Sequence, residues 1–153
     1  MMKRSCEVIA ALKGKTLVTA ESCTGGGIGT ALTAVPGSSA VFKGGIISYT
    51  NAVKVSQLGV DSNLLKRVGA VSAPVAEMMA VGVRKALDAD IAISVTGLAG
   101  PDGDSYRNPV GTVFVGYADS LNTFSKEFHF QGNREDIRRQ AVIAALDIVL
   151  EQT

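Results

Sequence analysis

The sequence predicts an α/β/α sandwich: a mixed, mainly parallel sheet with a late antiparallel hairpin, covered by helices, in a single domain over residues 1–153. Three observations predict it. Short β-rich runs alternate with helix-period runs through the first two thirds of the chain, the order that joins parallel strands by helices. Two alternating segments then face each other across Asp119-Ser120-Leu121-Asn122, which marks a hairpin. Finally, 46% hydrophobic and 19% charged residues can bury one core, with no linker, repeat or low-complexity segment.

Taken in order, residues 4–13 carry Val8, Ile9 and Leu12 on one helical face, and Gly14 ends that helix. Residues 16–20 form the first strand. The glycine-rich stretch Ser22 to Gly27 follows it, and Ile28, Leu32 and Val35 continue as a helix to about residue 34. Residues 44–50 read as the second strand. Asn51 is the expected cap of a helix over 52–58 that carries Lys54, Gly59 ends it, and Asp61 caps a short helix through Val68. Ser72-Ala73-Pro74 opens the next helix, with Val75, Met78, Met79 and Val83 as its apolar face. Residues 91–96 are a strand, 97–109 a Gly/Pro-rich loop, and 111–118 with 123–130 the hairpin. Asn133 caps the last helix, whose buried stripe is Ile137, Ala141, Ala144 and Ile148.

Charge and cysteine content narrow the function. The formal net charge is +1 without a long Lys/Arg run, so no nucleic-acid footprint is expected. Two cysteines and one histidine give neither a disulfide framework nor a zinc spacing. No run approaches about 18 apolar residues, so no membrane span is expected. The expected setting is cytoplasmic.

The stretch Thr19-Ala20-Glu21-Ser22-Cys23-Thr24-Gly25-Gly26-Gly27 lies where a strand turns into a helix, a place for a nucleophile with oxyanion donors or for a bound anion. Standard motifs fail around it. A dinucleotide fingerprint needs glycine at Thr30, a nucleophile elbow needs glycines at Ala20 and Thr24, and no S-x-x-K is present. A histidine-dependent triad has only His129, placed between Phe128 and Phe130 where a structural or surface role fits better. A serine without histidine needs another base, and a lysine serves if burial lowers its pKa. Lys54 is that candidate, although the residues alone read it more readily as an exposed helix lysine. Cys23 is a rival nucleophile, because a thiol at a helix N-terminus gains acidity, or else a small buried side chain. Tyr49 reads as a proton relay or a strand-end aromatic, and Thr24 as a helix cap. The loop Thr96 to Gly103 reads as a phosphate or carbonyl cradle or as a surface turn. Arg134, Arg138 and Arg139 read as phosphate partners or a solvated face. Asp102 and Asp104 suggest a metal but have no further ligand set.

These segments resemble the CinA C-terminal domain family: Ala20 to Gly26, Gly45 to Asn51 with Lys54, Gly69 to Ser72, Thr96 to Gly103 and Pro109 to Val113, in one order from about residue 5 to 150. The resemblance implies hydrolysis of the carboxamide of nicotinamide mononucleotide to nicotinate mononucleotide and ammonia, returning the nucleotide to NAD synthesis. It implies Ser22 as nucleophile, Lys54 as general base and Tyr49 as a polar helper. The expected substrate contacts are Thr24, Gly25 and Gly26, which also supply oxyanion donors, then Asn51, Thr96, Gly97, Ala99 and Gly100, and Arg138. No metal and no cofactor is required. The expected partners are the small-molecule substrate and further copies of the chain in a homo-oligomer, with no nucleic acid and no membrane. Two other readings stay open: a non-catalytic nucleotide-binding module with the same pocket, and a thiol amidase using Cys23.

Overall fold

The computed structural model describes residues 1–153 and orders five strands β2-β1-β3-β4-β5 in one sheet. In chain order the elements are α1 (Met2–Ala11), β1 (Leu17–Glu21), α2 (Gly27–Thr33), a short 3-10 turn (Ser38–Ala40), β2 (Phe42–Ile47), α3 (Asn51–Leu58), α4 (Ser62–Val68), α5 (Ala73–Ala86), β3 (Ile91–Gly97), β4 (Thr112–Ala118), β5 (Thr123–His129) and α6 (Arg134–Glu151). β1 runs parallel to both β2 and β3, whereas β4 is antiparallel to β3 and to β5. The expected α/β/α sandwich with its late hairpin is therefore the fold.

Alternation along β1 assigns residues to the two faces. Leu17 faces the larger core with α1, α2 and α6, where Val8, Ile28, Leu32, Ile137 and Ile148 are buried. Val18 and Ala20 face the second core with α5, where Val75, Met79 and Val83 are buried. β1 is buried along its whole length, as a central parallel strand covered on both faces must be. Each large aliphatic side chain removed from water in these cores contributes about 1.5–3 kcal/mol. The helix α3 can approach α5 closely because residue 82 is glycine; any side chain there would collide with the Leu58 carbonyl oxygen. That close packing sets the position of Lys54.

Several expected boundaries shift, each for a local reason. β2 ends at Ile47, opposite the last residue of β1, so Ser48 to Thr50 leave the sheet as a loop. The cap of α3 is Thr50, whose hydroxyl accepts from Val53 N–H at 3.4 Å, and Asn51 is the first helical residue instead. Met78 is 37% exposed, because Val75, Met79 and Val83 form an i, i+4 stripe that leaves it at the edge. Thr24 does not cap α2, which begins after Gly26 without a side-chain cap from that position. The caps Asp61 and Asn133 are as expected, the latter with a full capping box to Asp136.

Candidate active site

β1, β2 and β3 are parallel, so the loops after them emerge at one edge of the sheet, where ligands bind in open α/β folds. The Ser22 turn follows β1, Ser48 to Thr50 follow β2, and residues 98–111 follow β3. Two backbone bonds fix the centre of this edge: Ser22 N–H donates to Val95 O at 3.0 Å and Ser48 N–H to Glu21 O at 2.8 Å.

Lys54 reaches Ser22 from the first turn of α3. Its Nζ lies 3.0 Å from Ser22 Oγ, 2.8 Å from Ser48 O and 3.4 Å from Tyr49 O. The side chain is only 1% exposed. It is not the solvated helix lysine that the residues alone also allowed. Burial disfavours its charged form and pulls its pKa from 10.5 down to about 8, with Cys23 acting in the opposite direction. A neutral amine has two N–H bonds and one lone pair. With the two carbonyls accepting the N–H bonds, the lone pair is left to face the Ser22 hydroxyl.

Of the two readings of Cys23, the structure matches the small buried side chain and not the acidified thiol. It is 6% exposed, and burial pushes its pKa up to about 11 in spite of its own backbone N–H and the cations Arg138 and Lys54. The N-terminal N–H groups of α2 do not reach it, because an internal carboxylate holds them. Glu21 Oε1 accepts from Ile28 N–H at 2.8 Å and from the Thr24 hydroxyl at 2.7 Å, and Oε2 accepts from Gly29 N–H at 3.0 Å.

Ser22 and Lys54 line a cleft of about 480 Å³ together with Tyr49, Asn51, Thr96, Gly97, Ala99 and Gly100. Tyr49 is 58% exposed at its mouth. Its hydroxyl accepts from Arg134 Nη2 at 3.1 Å, and Arg134 Nη1 donates to Gly100 O at 2.6 Å. Arg134 thus ties the loop after β2 to the loop after β3. Thr96 presents little to the cleft, since its buried hydroxyl donates to Ala70 O at 2.9 Å. The N–H groups of Ala99 and Gly100 have no acceptor within the chain, and that of Cys23 has none beyond its own sulfur.

The remaining expected contacts lie elsewhere. Thr24, Gly25, Gly26 and Arg138 line a neighbouring depression of about 610 Å³ between α1, α2 and α6. The Gly25 N–H is engaged by Ser22 O at 3.0 Å. Arg138 donates from Nε to Cys23 O at 3.0 Å and from Nη2 to Thr24 O at 3.2 Å, which braces the turn. His129 sits on β5, half-exposed against Glu127 Oε2 at 2.6 Å, and does not line the cleft. Asp104 turns into its own loop, accepting from the N–H groups of Tyr106 and Asn108. No group of three or more His, Cys, Asp or Glu side chains is placed to hold a metal ion.

Sequence reasoning passes over two residues of this region. Glu21 has no role in the sequence reading, which ends the first strand at residue 20, whereas β1 runs through Glu21 and buries it. Tyr106 lines the cleft, with its hydroxyl donating to Lys66 O at 2.7 Å and its ring resting on Gly69. An aromatic residue inside a Gly/Pro-rich loop was the available signal.

Known proteins share the sequence pattern and the fold of this chain. The model of the CinA C-terminal domain matches residues 2–153. A nicotinamide-nucleotide amidohydrolase PncC of Pseudomonas putida is 53% identical over 135 residues, covering 88% of this chain and 84% of that protein. A CinA-like protein of Cyanothece sp. is also 53% identical, but the chain spans only 32% of its length. Among solved structures, a competence/damage inducible protein CihA from Agrobacterium tumefaciens superposes with a TM-score of 0.95 at 38% identity, covering 98% of this chain and 93% of that one. A competence damage-inducible protein A (ComA) of Klebsiella pneumoniae gives 0.95 at 35% identity, covering 98% and 94%. No helix is long and apolar enough to cross a membrane. With fold, motif order and identity in agreement, the chain belongs to the CinA C-terminal domain family.

Proposed function

We propose that the protein is a nicotinamide-nucleotide amidohydrolase that converts nicotinamide mononucleotide to nicotinate mononucleotide and ammonia, in recycling of pyridine nucleotides. One observation carries the chemistry: a buried lysine with its pKa lowered to about 8 stands 3.0 Å from a serine hydroxyl at the floor of a cleft. The likeness to the Pseudomonas putida amidohydrolase supports the substrate.

In this reading neutral Lys54 takes the Ser22 proton as Oγ bonds to the carboxamide carbon. The oxyanion is received by the N–H of Cys23, the residue after the nucleophile, which has no acceptor in the chain beyond its own sulfur. Protonated Lys54 then gives its proton to the departing nitrogen, the C–N bond breaks, and ammonia leaves an ester on Ser22. Water attacks that ester while Lys54 accepts its proton, and nicotinate mononucleotide is released as the Ser22 hydroxyl is restored. The free N–H groups of Ala99 and Gly100, with Asn51 and Arg134, hold the ribose and phosphate. Tyr49 keeps Arg134 in place across the cleft mouth. The catalytic unit assembles in the cytoplasm as a homo-oligomer of this chain.

The test is ammonia release from nicotinamide mononucleotide by the purified protein and by Ser22→Ala, with a chelator in both. Release by the first alone is the expected result. No release by either, with both folded and still binding the nucleotide, would overturn the amidase in favour of a binding module.

A further inference from the structure

The nucleophile turn is held by a buried carboxylate that touches neither Ser22 Oγ nor Lys54. Glu21 is 2% exposed and precedes Ser22 directly. Alternation sends its side chain to the α2 side of the sheet while Ser22 turns toward α3. There its two oxygens meet four donors: the Thr24 hydroxyl at 2.7 Å, Ile28 N–H at 2.8 Å, Gly29 N–H at 3.0 Å and the Thr19 hydroxyl at 3.3 Å. Two of these are first-turn N–H groups of α2, which in other strand-turn-helix sites stay free for a ligand anion. Here the protein's own anion occupies that end.

We propose that Glu21 is a positioning residue for catalysis by Ser22, acting through Thr24 and the first turn of α2. The inference rests on the serine amidase reading. Residues 22–26 have few other anchors. Ser22 N–H is bound to β3, and Arg138 holds the carbonyls of Cys23 and Thr24 from the opposite side. Glu21 fixes the far end of the turn, so the turn cannot swing about its strand end. Ser22 Oγ and the Cys23 N–H then keep one spacing, as attack and oxyanion binding both require. A displacement of about 1 Å at such a centre lowers turnover by roughly a hundredfold. The same contacts remove the α2 terminus from the phosphate sites open to the substrate, which leaves that role to the loop after β3 and Arg134.

The experiment compares Glu21→Gln, Thr24→Val and Thr24→Ser with the wild-type protein by three readouts. These are kcat and KM for nicotinamide mononucleotide, the rate of Ser22 labelling by an aryl sulfonyl fluoride followed by intact mass, and Tm. Glu21→Gln keeps the shape but sets an NH2 group against donors now held by the carboxylate. Expected are a fall of at least about tenfold in kcat and in labelling rate for Glu21→Gln and Thr24→Val, with KM within about threefold. Thr24→Ser, which restores the hydroxyl, should recover most of the rate. Folded Glu21→Gln and Thr24→Val with wild-type kcat and labelling would overturn the proposal, as would a change confined to KM. If Glu21→Gln does not fold, the Thr24→Val and Thr24→Ser pair decides by the same criteria. Labelling of wild-type Ser22 without ammonia release would refute the substrate while labelling still tests Glu21. No labelling and no release would overturn both.

Discussion

Ser22 Oγ and Lys54 Nζ stand 3.0 Å apart although 32 positions separate them in the chain, and the lysine is withdrawn from water by α3 packing. Both halves of that relationship matter. Contact alone gives a hydrogen bond, and burial alone gives an acidified lysine; together they make a base in reach of a nucleophile.

The first prediction concerns that pair. Ser22→Ala and Lys54→Met are each expected to lower kcat by on the order of 10³-fold or more, and the double variant by little beyond either, because the two act as a unit. Steady-state ammonia release checks it; additive losses would refute the dyad.

The second is a pH profile. The active lysine is neutral, so kcat/KM should rise about tenfold per pH unit below about 8 and level off above it. Stability has a linked slope. Lys54 titrates near 8 when folded and near 10.5 when unfolded, so the unfolded chain binds more proton between these values. Stability therefore rises with pH across that window. The wild-type protein should gain about 2 kcal/mol relative to Lys54→Met between about pH 7.5 and 9.5 in urea titrations. A flat difference would show that the lysine is not buried in solution.

Cys23 supplies the third. With its thiol pushed up to about 11, it is protonated near neutrality and a poor nucleophile, since reactivity belongs to the thiolate. Cys23→Ala should therefore keep activity within about threefold. Iodoacetamide near neutral pH should modify exposed Cys6 and spare both Cys23 and activity. Inactivation tracking the modification of Cys23 by mass would restore the thiol mechanism.

Gly69 gives the fourth. At φ +80° it lies under the Tyr106 ring, and a Cβ there would come within 2.6 Å of Tyr106 Cδ2. Gly69→Ala should displace the ring that lines the cleft and raise KM several-fold, as should Tyr106→Ala, whereas Tyr106→Phe keeps the ring and a near-normal KM. Equal KM values across the three would remove Tyr106 from substrate binding.

The cap of α6 is the fifth. Asn133→Ala breaks the capping box beside Arg134 and should cost about 1 kcal/mol. The loss appears as a Tm lower by roughly 2–4 °C for a domain of this size. Because Arg134 bridges Gly100 and Tyr49 from the first turn of that helix, KM should also rise; calorimetry and kinetics read the two effects separately.

Much of the architecture was legible because it rests on short-range rules. Asp61 and Asn133 cap helices through N–H groups two and three residues on, Gly59 closes α3 in the left-handed conformation, and the hairpin turns at Asp119 to Asn122. Such features depend only on neighbours in sequence. The cap of α3 falls one residue before the expected Asn51, because Thr50 and Asn51 are both good caps and the end of β2 in the sheet selects between them.

Local patterns in the chain were enough for the order of strands and helices, the turn that presents Ser22 and, through motif order, the family. Packing across the sheet was needed to bury Lys54 against Ser22, to hold the Cys23 thiol protonated, to seat Glu21 on the end of α2 and to bring Arg138 onto the turn from outside the cleft. The reason is physical. Periodicity and caps are written by residues a turn apart, whereas a pKa or a partner is set by desolvation and charge from elements far apart in the chain.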